Sequence, residues 1–205
     1  MTMITRRRLL FIAPLGMAVL AAGPGQAQQL SLSEISGYLN SFDTAEGQFT
    51  QINADDTIST GTIFIRRPGR IRFEYDPPEQ AMVIAGGGQL AVFDPRSNTG
   101  PDRYPLRETP LKIILQDDID LSRTNMVTAH TSDGTTTSVT AQDPENPDYG
   151  NIQLVFTGDP VQLRQWVITD DTGRQTTVVL GDLVTGAQVP NILFNIRAEM
   201  RDWPE

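Results

Sequence analysis

Between Gly47 and Leu180, apolar and polar residues alternate in short runs separated by Pro, Gly and Asp. A period of two places successive side chains on opposite faces of a pleated strand. Arg70 to Tyr75 is the clearest run, with Ile71, Phe73 and Tyr75 on one face and Arg70, Arg72 and Glu74 on the other. Further strands are predicted over 47–52, 57–66, 81–85, 90–93, 125–131, 135–141, 151–157, 163–169 and 174–180. Turn signals fall between them, among them Pro68-Gly69, Pro77-Pro78, Gly86-Gly87-Gly88, Asp133-Gly134 and Asp171-Thr172-Gly173. About ten or eleven strands, spaced about ten residues apart, specify a mainly β chain with a meandering antiparallel sheet. Residues 96–107 read as a long loop. No fixed-period repeat and no linker divides the chain, so residues 28–205 are expected to form a single domain.

Two helical segments interrupt the alternation. Ser31 and Glu34 have the spacing of a capping box. Leu32, Ile35, Leu39 and Phe42 then recur at helical spacing, with Ser36 and Asn40 on the polar face. Thr109-Pro110 reads as N-cap and first helical residue of a short helix over 110–115. A sheet of this many strands curls. Rolled but unclosed, its apolar concave face needs a cover, and these helices are the segments able to supply it. Small helices need not fill the hollow, so both a packed core and an apolar ligand cavity are compatible with the pattern.

The first 27 residues have a different character. Arg6, Arg7 and Arg8 precede an apolar run from Leu9 to Ala22, and Gly25-Gln26-Ala27 offers small residues for cleavage. This is the three-part secretory pattern. The run is short for a membrane span. An uncleaved anchor is the alternative, and Arg7-Arg8-Leu9-Leu10 leaves the twin-arginine route open beside general export. Residues 1–27 hold three Arg and no acid, so the remainder is more acidic than the whole chain, −12 against −9. With no lipid-anchoring Cys, the bacterial periplasm is the expected location.

Chemistry is scarce. The chain has no Cys, one His and a single lysine, Lys112. Thiol catalysis, disulfides and thiolate zinc sites are excluded. The acidity argues against nucleic acid, which requires a basic stripe. Gly86-Gly87-Gly88-Gln89-Leu90-Ala91 fits a dinucleotide fingerprint in form, but that motif must open a helix and here a strand follows. Asp55-Asp56, Asp117-Asp118 and Asp170-Asp171 are adjacent acid pairs, which in turns are ordinarily solvated. No catalytic residue, metal site or cofactor is expected.

Arg67 stands apart. Alternation puts it on the face of Ile63 and Ile65, toward the concavity. A buried guanidinium needs partners. Its five donors suit the free carbonyls at the end of a covering helix. The alternative is a strand-end arginine lying in water.

Gly47-Gln48-Phe49-Thr50-Gln51, followed by Gly61 to Tyr75 with its Arg66-Arg67-Pro68, resembles the periplasmic outer-membrane lipoprotein carrier (LolA) family. Pro78-Glu79, Val92-Phe93-Asp94-Pro95 and Thr109-Pro110-Leu111 follow in the family's order. Pro190 to Glu205 departs from it. The resemblance implies an unclosed antiparallel β-barrel under a lid of short helices. It implies a hydrophobic cavity for lipoprotein acyl chains, taken from an inner-membrane lipoprotein-releasing ABC transporter and delivered to an outer-membrane acceptor. It gives Arg67 the role of lid latch in a monomer. Candidate cavity residues on strands are Phe49, Ile63, Ile65, Ile71, Phe73 and Val83. On the lid they are Leu32, Ile35, Leu39, Leu111, Ile114 and Leu115. Each has a plain alternative as core. Two other functions fit less of the pattern: a periplasmic lipid or lipoprotein sensor of the same fold, and a hydrolase using paired carboxylates.

Overall fold

The computed structural model describes residues 28–97, 99–123 and 125–203; the export signal expected over 1–27 lies outside them. The strands are β1 (Thr44–Ile52), β2 (Ile58–Arg66), β3 (Arg70–Tyr75), β4 (Met82–Gly86), β5 (Gln89–Phe93), β6 (Asp102–Pro105), β7 (Val127–Ser132), β8 (Thr136–Gln142), β9 (Asn151–Thr157), β10 (Gln162–Thr169), β11 (Gln175–Leu180) and β12 (Val184–Thr185). Helix α1 (Leu32–Leu39) precedes them and α2 (Ile196–Asp202) follows. All twelve strands belong to one antiparallel sheet of order β6-β5-β4-β3-β2-β1-β11-β10-β9-β8-β7, with β12 also on β1. Each pair joins strands consecutive in sequence except β1 with β11, which joins the two halves, and β1 with β12. The sheet is open, with β6 and β7 as its edges.

Its curl is visible in one aromatic contact. Phe73 on β3 and Trp166 on β10 are four strands apart in the sheet. In a flat sheet they would lie about 19 Å apart, at the usual strand spacing. Their ring centroids are 6.3 Å apart, edge to face. The concave face is therefore rolled far enough for opposite walls to touch. The wall residues Phe49, Ile63, Ile71 and Val178 and the opposing Val139, Ile152, Leu154 and Phe156 form one buried cluster with the covering segments.

Two strands and one helix differ from expectation. The segment 96–107, read as loop, holds β6, whose Asp-Arg-Tyr-Pro carries no apolar alternation and lies at the exposed sheet edge. Strand β12 is two residues long, too short for any periodic signal. The helix expected over 110–115 is a 3-10 turn, Pro110–Ile113. Thr109 does not cap it, because its hydroxyl donates to the Leu106 carbonyl instead. Helix α1 has the expected capping box, with Ser31 accepting from the Glu34 N–H and Glu34 reaching back to the Ser31 N–H. Ser36, placed on its polar face, is buried.

A second apolar cluster lies on the convex side. Ile84, Ala91 and Phe93 point outward from β4 and β5 and are covered by Val189, Phe194, Ile196 and Trp203. The Phe93 and Trp203 rings lie 5.0 Å apart. The buried Arg72 on β3 fixes this cover, donating to Glu199 Oε2 at 2.8 Å, Glu74 Oε1 at 2.6 Å and the Leu193 carbonyl at 2.9 Å. Gly86 lets the cover approach, since a Cβ there would stand 2.2 Å from the Phe194 carbonyl oxygen. Gly86→Ala is expected to displace the carboxy-terminal segment and lower stability by about 1–3 kcal/mol. The checks are urea unfolding and the fluorescence of Trp203. Unchanged stability would show that the segment moves without cost.

Candidate functional site

The concave cluster is closed by two covering elements, α1 and the segment 106–121. Their mutual attachment is polar. Asn40, just past α1, donates from Nδ2 to the Ile119 carbonyl at 2.9 Å and accepts the Ile119 N–H at 3.0 Å. Ser36 Oγ accepts the Leu121 N–H at 3.0 Å while donating to the Leu32 carbonyl at 2.8 Å. The residues read as the solvated face of the helix thus clamp the second half of the lid. An amide bonding a backbone 79 residues away leaves no periodic trace in a sequence.

Arg67 lies beneath this junction, 6% exposed, at the end of β2. Strand parity turns it inward, as for Ile63 and Ile65. Its Nη2 donates to the Phe42 carbonyl beyond α1, and Nη1 reaches Asn40 Oδ1 at 3.4 Å. The guanidinium carbon sits 5.5 Å from the Phe42 ring centroid, a cation–π arrangement. Burial pushes the Arg67 guanidinium below its ordinary pKa, and the charges of Asp43 and Asp117 act the other way. Two residues on, the Gly69 N–H donates to the Leu115 carbonyl at 2.8 Å. The Arg67–Gly69 turn therefore holds both halves of the lid.

The structure brings the candidate residues together. Phe49, Ile63, Ile65, Ile71 and Phe73 are buried in the concave cluster, with Val83 half-buried at its margin. Ile35, Leu39, Leu111, Ile114 and Leu115 are buried in the same cluster from the lid side, with Leu32 half-buried against it. Beneath the lid, Leu39, Phe42, Ile65, Arg67, Leu115 and Trp166 border a void of about 20 Å³. That is room for about one water, far from the several hundred Å³ of a ligand pocket. Two open grooves flank the packed centre. One of about 760 Å³ runs past Tyr75, Val83 and Val92. The other, of about 740 Å³, runs past Leu90, Leu111 and Ile168. Arg174 lines both. At the first, the Tyr75 hydroxyl donates to Gln51 Oε1 at 2.7 Å, and burial raises its pKa to about 12.

Carboxylates do occur along the second groove, which Glu108, Asp148, Asp170 and Asp171 help line from three separate segments. Asp170 is already committed, accepting from the Thr172 hydroxyl at 2.6 Å and the Arg174 N–H at 3.0 Å. The Thr172 hydroxyl leads in holding its carboxyl below the usual range. A general acid needs the opposite shift. Asp55, beside the first groove, is likewise lowered by Thr57.

Lys112, within the 3-10 turn of the lid, pairs with Asp143 beyond β8. This bond, helped by Asn146, lowers the Asp143 pKa to about 2. A depressed carboxyl contributes stability above its ordinary range and loses it as pH falls toward the folded value. The lid fastening is thus expected to weaken between about pH 4 and pH 2. Amide exchange at 111–115 should accelerate over that window by roughly tenfold more than in Asp143→Asn, which lacks the pair at every pH. Identical pH profiles in the two proteins would remove the pair from the lid's attachment.

A family model described as Outer membrane lipoprotein carrier protein LolA matches residues 40–197. An outer-membrane lipoprotein carrier protein of Coxiella burnetii (strain CbuK_Q154) is 24% identical over 185 residues, 86% of this chain and 87% of its own. That of Azotobacter vinelandii (strain DJ / ATCC BAA-1303) is 23% identical over 182 residues, 84% and 86% of the two chains. Among solved structures, a LolA superfamily protein from Nitrosomonas europaea aligns with a TM-score of 0.44 at 10% identity, covering 81% of this chain and 98% of its own. The match to the family model takes in all twelve strands, Arg67 and the lid segment 106–121, and the chain belongs to the outer-membrane lipoprotein carrier (LolA) family.

Proposed function

We propose that this chain binds the acyl chains of lipoproteins in the periplasm, accepting them from an inner-membrane lipoprotein-releasing ABC transporter and passing them to an outer-membrane acceptor. The observation that carries the reading is the closed lid over an almost filled apolar interior, held by the inward Arg67. In this state the hollow has no room for cargo, so loading requires the lid to leave and the covering side chains to be replaced by acyl chain.

The energetics fit a carrier. Each methylene withdrawn from water contributes about 0.8 kcal/mol, so a chain of about 16 carbons costs on the order of 12 kcal/mol to expose. Unassisted passage through an aqueous compartment would be very slow. A carrier must offset that cost and still release its cargo. A lid that competes for the same apolar surface lowers net affinity by the fraction of molecules it keeps closed. Arg67 supplies that competition without adding any contact to cargo.

Expression of the full chain in a Gram-negative host, recovery from the periplasm and mass spectrometry of the bound material test the reading. Acylated lipoprotein is expected to co-purify, and the empty protein is expected to release acylated lipoprotein from inner-membrane vesicles supplied with the transporter. Protein that emerges free of acyl chains and releases nothing would refute it.

A further inference from the structure

A pocket of about 480 Å³ lies on the convex side, outside the concave cluster and next to the Arg67–Gly69 turn. Its walls are the outward ends of β3 to β6 and the carboxy-terminal segment 191–197. Arg70, Arg103 and Arg197 all line it, with Gln89, Asn191 and the backbone of Gly86-Gly87, and none of the described lining residues is acidic.

Three arginines with no acid among them stand out in a chain where acids outnumber bases 25 to 16. Most of its other cations find carboxylates, while Arg66 and Arg67 bond backbone carbonyls. Arg72, Arg96, Arg107, Lys112, Arg123, Arg164 and Arg174 all form ion pairs. The three pocket arginines form none among the described residues. Arg70 donates to Asn191 Oδ1 at 2.7 Å and to the carbonyls of Arg66 and Arg67 at 3.2 and 3.3 Å, so its guanidinium is held in place while its charge stays uncompensated. Among the described residues, the Arg103 side chain bonds only the Met200 sulfur. Arg197, on the exposed side of α2, has no hydrogen bond or ion pair among the described residues.

The approach of the Phe194 carbonyl to Gly86 fixes the wall that carries Asn191 and Arg197. The pocket is therefore part of the packed fold. Its volume lies in the range of small-molecule sites. A planar carboxylate uses one or two guanidinium forks, whereas a tetrahedral oxyanion presents oxygens in several directions and accepts from three. We infer that Arg70, Arg103 and Arg197 form a binding site for a phosphate ester. The inference stands independently of the carrier function, because it uses neither the concave cluster nor the lid.

A phosphate ester can be a soluble metabolite or the headgroup of a phospholipid, and the test separates them. The protein purified from cells expressing the full chain is titrated with inorganic phosphate and with glycerol 3-phosphate, following the arginine Nε–Hε resonances. In parallel it is floated with phosphatidylcholine vesicles with and without phosphatidylglycerol. The comparison protein carries Arg103→Gln and Arg197→Gln, both exposed positions, with thermal unfolding confirming that it folds.

Saturable binding of glycerol 3-phosphate, weakened at least tenfold in the double variant, establishes the site for a soluble ester. Flotation that needs phosphatidylglycerol and is lost in the variant establishes it for a headgroup. Binding of none of the probes, or binding equal in both proteins, overturns the inference. Capture of an acidic peptide at this pocket in place of any phosphate overturns it as well.

Discussion

Arg67→Leu is expected to fold normally, hold a palmitoyl probe roughly tenfold to a hundredfold more tightly than the parent, and release it more slowly by a similar factor. The size follows from what the side chain does. A hydrogen bond from a charged donor to a buried acceptor contributes about 1.5–3 kcal/mol. In the closed state the guanidinium makes such a bond to the Phe42 carbonyl. Loss of the bond destabilises only the closed, empty form, so a larger fraction of molecules is competent to bind. Folding survives because leucine suits the surrounding Phe42, Ile65, Leu115 and Trp166, and exchanging a buried charge for an apolar group is often neutral. The Nε of Arg67 has no partner among the described residues, which offsets part of what the substitution removes. Equilibrium binding and transfer to acceptor vesicles give the two readouts. Transfer at the parent's rate would show that the latch has no part in release.

Trp166→Ala is expected to lower stability by about 3–5 kcal/mol, the usual cost of deleting a fully buried aromatic side chain. For a domain of this size the midpoint of thermal unfolding should drop by roughly 10 °C. Trp166 is completely buried and meets Phe73 from across the curled sheet. Its indole N–H has no partner among the described residues, so Trp166→Phe should cost far less. The alanine protein carries a second signature. Its enlarged void should admit a small apolar molecule such as benzene with the lid still closed, as apolar cavities do. A loss below about 1 kcal/mol would mean that the sheet relaxes inward to fill the space.

Much of the strand framework was legible because half-buried strands repeat every two residues. Strands β2 and β3, joined by the Pro68-Gly69 turn, pair as their alternation requires, with Ile63 opposite Phe73 and Ile65 opposite Ile71. The inward position of Arg67 follows from the same parity. What escaped was whatever lacks a period. Strand β6 is polar and lies at an edge. The lid's attachment depends on Asn40 and Ser36 reaching distant backbone, and their spacing on α1 looks like that of any solvated face. The convex cluster does leave a mark in the sequence. Met82 to Ala85 and Leu90 to Phe93 are apolar without alternation, the pattern of strands covered on both sides. That run calls for a partner on the outer face, and the carboxy-terminal segment provides it.

The two clusters divide the molecule's labour. A protein whose only interior were the concave one would lose its shape each time that interior was emptied for cargo. Here the sheet is also anchored from behind by Phe194, Trp203 and the Arg72–Glu199 pair, none of which faces the hollow. In the carrier cycle proposed above, the rear anchorage would serve as a keel, keeping strands β3 to β5 in register while the front face exchanged protein side chains for lipid.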